Sequence, residues 1–230
     1  MILVLGAMRE ELACFSEHFE FVDGDEWNGV PVNRMRYKNL ELVVAKSGVG
    51  KVLAAMVCQH LIEEYRPEAV VFTGIAGSVN PSLCVGDLVV SLDCVQHDLD
   101  ATAMGIERGR VPYTVYRFIE ADKGLVDKMR GFSPDWGRVH FGRVLTGDQF
   151  IAGEQRARMP YLTEELKGDV VEMEGASVAL VCRVNAVPFV LLRVVSDNAD
   201  GNAPDDFSAF LNRSSSHLAE ALEFLFDRWG

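Results

Sequence analysis

The chain has 230 residues, 49% of them hydrophobic, with 34 acidic against 22 basic side chains and a net charge of −12. That size and apolar fraction fit one α/β domain with a sizeable core. The charge repels nucleic acid and anionic membranes and no Lys/Arg cluster offsets it, so small molecules or another protein chain are the expected partners.

Residues 2–5 form a short apolar run closed by Gly6, which reads as a buried strand, and residues 10–19 follow as a helix. Residues 22–46 alternate and break at Asp23-Gly24, Asn28-Gly29 and Lys38-Asn39, which predicts antiparallel strands. Ser47-Gly48-Val49-Gly50 ends that stretch. Residues 52–65 then carry Val52, Met56, Leu61 and Ile62 at helical spacing and stop before Pro67. A second buried strand at 69–72 feeds the turn Thr73-Gly74-Ile75-Ala76-Gly77, and further strands are expected at 87–95 and 138–145. A helix over 172–185 begins acidic, and 187–195 is the last core strand. After a loop at 198–205, residues 206–229 form the closing helix, with Asp205 or Asp206 as its cap. Strands alternating with helices argue a mainly parallel sheet covered on both faces. No linker or repeat divides the chain, so residues 1–230 read as a single domain.

The five cysteines, Cys14, Cys58, Cys84, Cys94 and Cys182, are scattered without a C-x-x-C spacing, as in a cytoplasmic protein with reduced thiols. Residues 1–5 lack the basic lead of a secretory signal, and nothing approaches the ~20 apolar residues of a membrane span. The class expected is a globular cytoplasmic protein.

The last apolar run, Val187 to Val195, holds Arg193 and stops at Ser196-Asp197. Unpaired charge in a core costs several kcal/mol, so such groups have partners or a task. Strand C-termini in open α/β sheets are where ligands sit. Ala45-Lys46-Ser47-Gly48-Val49-Gly50-Lys51-Val52 fails as a P-loop, with Ala45 at the first glycine and Val52 at the magnesium-binding position. What remains is a glycine-rich turn, read as structural. His97-Asp98-Leu99-Asp100 has no matching ligand pair elsewhere, so no metal is expected. The absence of a G-x-S-x-G elbow argues against a serine nucleophile. Carboxylates beside element ends, at Glu11, Glu172, Glu174 and Asp197, carry more information. With Arg193 they suit chemistry that needs a base, an acid and hydroxyl binding, and a sugar–base bond is such a substrate.

Seven motifs occur in order: Gly6-Ala7-Met8-Arg9-Glu10-Glu11, Ser47-Gly48-Val49-Gly50-Lys51, Thr73-Gly74-Ile75-Ala76-Gly77, Val85-Gly86-Asp87, Gly147-Asp148-x-Phe150-Ile151, Val171-Glu172-Met173-Glu174 and Arg193-x-x-Ser196-Asp197. Together they resemble the bacterial 5′-methylthioadenosine/S-adenosylhomocysteine nucleosidases of the nucleoside phosphorylase/hydrolase superfamily, from Met1 to about Phe210. The resemblance implies a three-layer α/β/α fold with a twisted central mixed β-sheet and a homodimer. It implies hydrolysis of the N-glycosidic bond without cofactor or metal, releasing adenine and a 5-thioribose, with 5′-deoxyadenosine as a further candidate substrate.

Carried onto this chain, Glu11 is the base that activates water at C1′, and Arg193 organises that end of the site. Glu174 binds the ribose hydroxyls beside Glu172, and Met173 packs under the sugar. Phe150 stacks on adenine and the Ile151 backbone reads its edge, and Ile75, Ala76 and Gly77 are further substrate-binding residues. Asp197 gives a proton to N7, supported by Ser196, and Phe207 covers the 5′-substituent. The partner subunit's Val49, Met104 and Pro112 complete the 5′ pocket. Two departures stand out: Ile75 replaces a serine common in the family, and Met104 and Ile106 replace aromatic residues.

Three alternatives stay open. A phosphorylase on the same fold needs cations around phosphate, whereas the Gly6 loop offers Glu10 and Glu11. A hydrolase acting on futalosine or its 6-amino form needs room for a larger 5′-group near Met104. A non-catalytic nucleoside-binding relative would lack the acid/base pair, yet Glu11 and Asp197 are both present.

Overall fold

The first strand sets the register for the rest. β1 (Ile2–Gly6) is buried along its whole length and pairs in parallel on both sides, with β4 (Leu40–Lys46) and β5 (Ala69–Ser78). Its uninterrupted apolar run is what burial on two faces demands. The computed structural model describes residues 1–197 and 203–229, the side chains of residues 203–209 and 212 excepted.

β2 (Glu20–Trp27) and β3 (Val30–Tyr37) extend the sheet beyond β4 as an antiparallel meander. On the other side come β6 (Leu88–Gln96), β7 (Ile119–Glu120), β8 (Val139–Thr146), β9 (Val170–Glu172) and β10 (Phe189–Asp197). β10 pairs in parallel with β5 and antiparallel with β6, and the chain of pairings β6–β8–β9 returns to β5. The mixed sheet therefore closes on itself at one end, as a five-strand ring of β5, β10, β6, β8 and β9.

Among the described residues seven α-helices cover it: α1 (Phe15–His18), α2 (Lys51–Tyr65), α3 (Lys123–Met129), α4 (Glu154–Ala157), α5 (Tyr161–Glu164), α6 (Gly175–Val184) and α7 (Ala203–Phe226). Strand alternation sorts the layers. Leu3, Leu5, Val70 and Phe72 share a core with α2 and α6, through Ala54, Val57, Ala176 and Ala179. Ile2, Val4 and Val71 share another with α1, α3 and α7, through Phe15, Met129, Leu218 and Leu222. The expected α/β class, a mixed sheet between helical layers, is what the chain builds. No helix of the described residues is long and apolar enough to cross a membrane.

Four expectations need correction. The helix predicted over 10–19 is a single 3-10 turn at Glu10–Leu12 followed by α1, because the Cys14 amide donates to Ser215 Oγ (3.0 Å) instead of continuing a helix. Asp23-Gly24 is no turn: it lies inside β2, opposite Arg34 and Asn33, where a bulge after Phe21 absorbs the irregularity. Thr73-Gly74-Ile75-Ala76-Gly77 is also no turn, since β10 runs beside it from Leu192 to Asp197 and holds it extended. The closing helix starts at Ala203, so Asp205 and Asp206 lie inside its first turn and neither is the cap.

Candidate active site

A cleft with an open volume of about 690 Å³ lies at the C-terminal ends of β1, β5 and β10 and at the start of α6.

Glu11 enters from the 3-10 turn after β1 and is 3% exposed. Its Oε2 accepts from the Met8 amide (2.9 Å) and its Oε1 from the Ile75 amide (3.0 Å), which aims the carboxyl along the cavity wall. Burial pushes its pKa up; Arg193 and the amides of Met8, Ile75 and Ala7 oppose that rise without cancelling it.

Arg193, central in β10 and 1% exposed, stands behind the cavity wall. Nη1 donates to the carbonyls of Phe72 (2.9 Å) and Leu192 (3.2 Å), Nη2 donates to Glu172 Oε2 (2.8 Å), and the guanidinium lies 4.3 Å from the Phe72 ring centre. The partners that an arginine in an apolar run requires are thus found on its own strand, on the adjacent β5 and at the end of β9.

Glu172 lines the cavity, but its oxygens are taken. They accept from Arg193, from the Thr146 hydroxyl in a short hydrogen bond, and from the Gly175 (2.7 and 2.9 Å) and Glu174 (3.2 Å) amides. Glu172 closes β9 and holds the N-terminus of α6, where a carboxylate is favoured. Glu172, expected among the substrate-binding residues, thus lies on the cavity wall with its carboxylate engaged by the protein's own donors.

Glu174 is different. Its Oε1 accepts from the Gly50 amide (2.8 Å), and burial, then the neighbouring Glu172 charge, push its pKa up to about 8. Ser196 Oγ donates to Asp197 Oδ2 (2.7 Å) at the end of β10, and both residues line the cavity. Ile75, Ala76 and Gly77 line it from β5. Phe150, 49% exposed, the buried Ile151 and the half-buried Met173 complete that wall.

Val49 lines the cavity from its own chain, not only as a residue awaited from a partner. Met104, 63% exposed, and Pro112 sit on the 101–118 segment and do not line this cavity. The Phe207 side chain and residues 198–202 lie outside the described residues. Ala7, Met8, Gln149 and Val171 also line the cavity and were not among the expected site residues, although Ala7, Met8 and Val171 belong to the quoted motifs and Gln149 fills the open position of another.

The glycine-rich turn 47–51, read as purely structural, is corrected: Val49 and the Gly50 amide belong to the site. Beneath it Lys51 Nζ pairs with Asp98 Oδ1 (2.7 Å), the Lys51 amide donates to Asp148 Oδ1 (2.9 Å), and the Asp148 amide donates to Asp98 Oδ2 (2.9 Å). Burial pushes Asp98 up, yet Lys51 and the Asp148 amide hold its carboxyl below the usual carboxylate range. His97, Asp98 and Asp100 diverge to Tyr161, Lys51 and Arg108, so they do not converge on one ion. Among the described residues no group of three or more His, Cys, Asp or Glu could hold a metal ion.

The cleft presents Glu11, Glu174 and Asp197 on a wall otherwise largely apolar, and none of its described lining residues is a lysine or arginine. Such a site can place a base, a hydroxyl acceptor and an acid around one small molecule.

Residues 1–226 match the phosphorylase superfamily. An aminodeoxyfutalosine nucleosidase of Helicobacter pylori is 37% identical over 97% of this chain and 96% of its own length. A 5′-methylthioadenosine/S-adenosylhomocysteine nucleosidase of Geobacillus kaustophilus is also 37% identical, over 94% of this chain and 92% of its own. The structure of a Helicobacter pylori 5′-methylthioadenosine/S-adenosylhomocysteine nucleosidase with butyl-thio-DADMe-Immucillin-A superposes with a TM-score of 0.91 at 35% identity, covering 98% of this chain and 97% of that one. Matched in sequence and fold along nearly its whole length, the chain belongs to the phosphorylase superfamily and is an N-glycosidic nucleosidase.

Proposed function

We propose that this nucleosidase hydrolyses 5′-methylthioadenosine and S-adenosylhomocysteine, releasing adenine and the 5-thioribose. The observation that carries the reading is the convergence of Glu11, Glu174 and Asp197 on a cleft whose described lining holds no lysine or arginine. Such a wall favours water over phosphate as the nucleophile, because an anionic base attracts a water proton and repels an anion.

Cleavage of the bond passes through an oxocarbenium-like state. Glu11, aimed by the Met8 and Ile75 amides, takes the proton of the attacking water at C1′. Arg193 stays behind the wall and organises that end of the site through Glu172 and the Phe72 carbonyl. Glu174 accepts from the ribose hydroxyls, and Met173 packs under the sugar. Phe150 stacks on the base, Ile151 reads its edge, and Asp197, held by Ser196, gives the proton to N7. Each acid/base contact is worth roughly 10²–10⁴-fold. The test is adenine release from 5′-methylthioadenosine with and without phosphate, on wild type and Glu11→Gln. Phosphate-independent release that the exchange abolishes is expected; release of a ribose 1-phosphate would overturn the hydrolase.

A second substrate reading rests on relatives. Aminodeoxyfutalosine nucleosidases of Helicobacter pylori and Campylobacter jejuni are 37% and 38% identical, level with the methylthioadenosine enzymes. The ratio of kcat/KM for aminodeoxyfutalosine and methylthioadenosine decides between them.

The homodimer belongs to the same proposal. Val49, Val52, Leu53 and Met56 around the start of α2, with Met104, Tyr113 and Val115 on the 101–118 segment, are exposed apolar side chains. A second copy would cover them and bring the partner's Met104 and Pro112 toward the 5′ end. A monomeric mass by sedimentation at micromolar concentration would sink this assembly.

A further inference from the structure

Two motifs that looked unrelated in the sequence meet in space. The failed P-loop supplies Lys51, and the failed metal motif supplies Asp98. Their ion pair, 2.7 Å long, is largely shielded, with side-chain exposures of 17% and 20%. Around it the hydrogen bonds form a closed circuit. The Lys51 amide donates to the Asp148 carboxylate, the Asp148 amide donates to Asp98, and Lys51 Nζ returns to Asp98. Lys51 Nζ also lies 3.6 Å from Asp148 Oδ2.

The circuit joins two strips of the cavity that are distant in sequence. One residue before Lys51, the Gly50 amide holds Glu174, and Val49 lines the cleft. Two residues after Asp148, Phe150 lines it from the other side. Gly50 is at φ +92°, and a Cβ there would stand 3.3 Å from Asp148 Oδ1. The two loops thus touch backbone to side chain at a point where L side chains are strained. None of Lys51, Asp98 and Asp148 lines the cavity.

We propose that Lys51 and Asp98 are positioning residues that strap the sugar-side loop to the base-side loop, so that Glu174 and Phe150 keep a fixed separation. This rests on the reading above that Glu174 takes the ribose and Phe150 the base. Its consequence is specific. A ligand that touches one loop gains little from the strap, whereas a ligand that spans both relies on it. An intact nucleoside spans both, and free adenine touches only the base side.

The test uses the full-length protein as wild type, Lys51→Met, Asp98→Asn and the conservative Lys51→Arg. Two measurements are made: amide hydrogen exchange without ligand, and affinity for adenine and for a 5′-methylthioadenosine analogue that resists cleavage. In Lys51→Met and Asp98→Asn, exchange should speed up jointly in 47–51 and 147–151 while β1 and β5 stay protected. Nucleoside affinity should fall about tenfold or more with adenine affinity changed less than about threefold, since loss of preorganisation penalises the ligand that must bridge. Lys51→Arg should recover most of it. Unchanged exchange in 147–151 of Lys51→Met overturns the strap whatever the ligand, and so does an equal loss for adenine and nucleoside. If the wild type binds adenine but no nucleoside, the assignment of Glu174 to the ribose fails, and the exchange measurement still decides the strap by itself.

Discussion

Gly74 and Glu11 are in contact across β5 and the first turn: a Cβ on residue 74 would stand 2.7 Å from Glu11 Oε1 and 3.4 Å from Arg193 Nη1. The glycine is what lets a buried carboxyl lie flat against the strand and accept the Ile75 amide. Gly74→Ala must push that carboxyl off its amide, because β5 is held at Gly74 by its pairing with Arg193 of β10 and one residue earlier by the pairing of Thr73 with Gly6. Turnover should fall roughly 10²-fold from misplacement of the base alone, with the far-ultraviolet circular dichroism unchanged. Wild-type kcat in Gly74→Ala would show that Glu11 needs no such alignment.

The acid limb of activity should carry the signature of the same burial. The Glu11 pKa is raised, chiefly by desolvation. A base works only when deprotonated, so kcat/KM should rise with pH through a value above the 4.5 of an ordinary glutamate. A limb at or below that value, in a profile taken with methylthioadenosine, would remove Glu11 as the base.

Glu174 gives a linkage prediction with a definite sign. Its pKa of about 8 exceeds the 4.5 of an ordinary glutamate, so the folded protein holds this proton more tightly than the unfolded chain. The stability it confers is complete below pH 4.5 and is lost as pH rises through about 8. Glu174→Gln should flatten that fall in a series of thermal melts from pH 5 to 9. Near pH 7 nucleoside binding should also release protons, since ribose hydroxyls are better received by a carboxylate. Calorimetry in buffers of different ionisation enthalpy reads this directly, and no buffer dependence would argue against a carboxylate acceptor.

The elements that periodicity reveals were legible in the sequence: β1, α2, β6, β8 and β10 fall within a residue or two of the apolar runs that predict them. Long-range pairing was not. Thr73 to Gly77 reads as a turn because its glycines are locally permissive, and only the neighbouring β10 keeps it extended. The ring closure is hidden for the same reason, since nothing within 189–197 says that it has two partners from different parts of the chain. At the site, strand-end carboxylates were visible because charge next to an apolar run is costly. Glu172 shows the limit of that signal. Position in sequence marks it as part of the site, but only the fold shows its oxygens consumed by Arg193, Thr146 and the start of α6. Lys51 and Asp98 were seen as fragments of other motifs because each one's partner lies 47 residues away.

The Glu172–Arg193 pair yields the stability prediction. Both side chains are almost fully buried, at 3% and 2% exposure, and each completes the other's hydrogen bonding. Glu172→Gln takes the paired anion from a buried guanidinium, leaving neutral acceptors in its hydrogen bonds, and weakens the hold on the Gly175 amide. Arg193→Met leaves the Glu172 carboxyl facing Glu174 without its cation. Breaking one side of a buried pair costs about 3–5 kcal/mol, much of it the desolvation of the charge left behind. Removing both partners spares that charge, so Glu172→Gln/Arg193→Met should be less destabilised than the sum of the single exchanges. Urea denaturation of the four proteins measures the cycle. Additive losses would mean that the two groups are solvated independently, contrary to the geometry of β9 and β10.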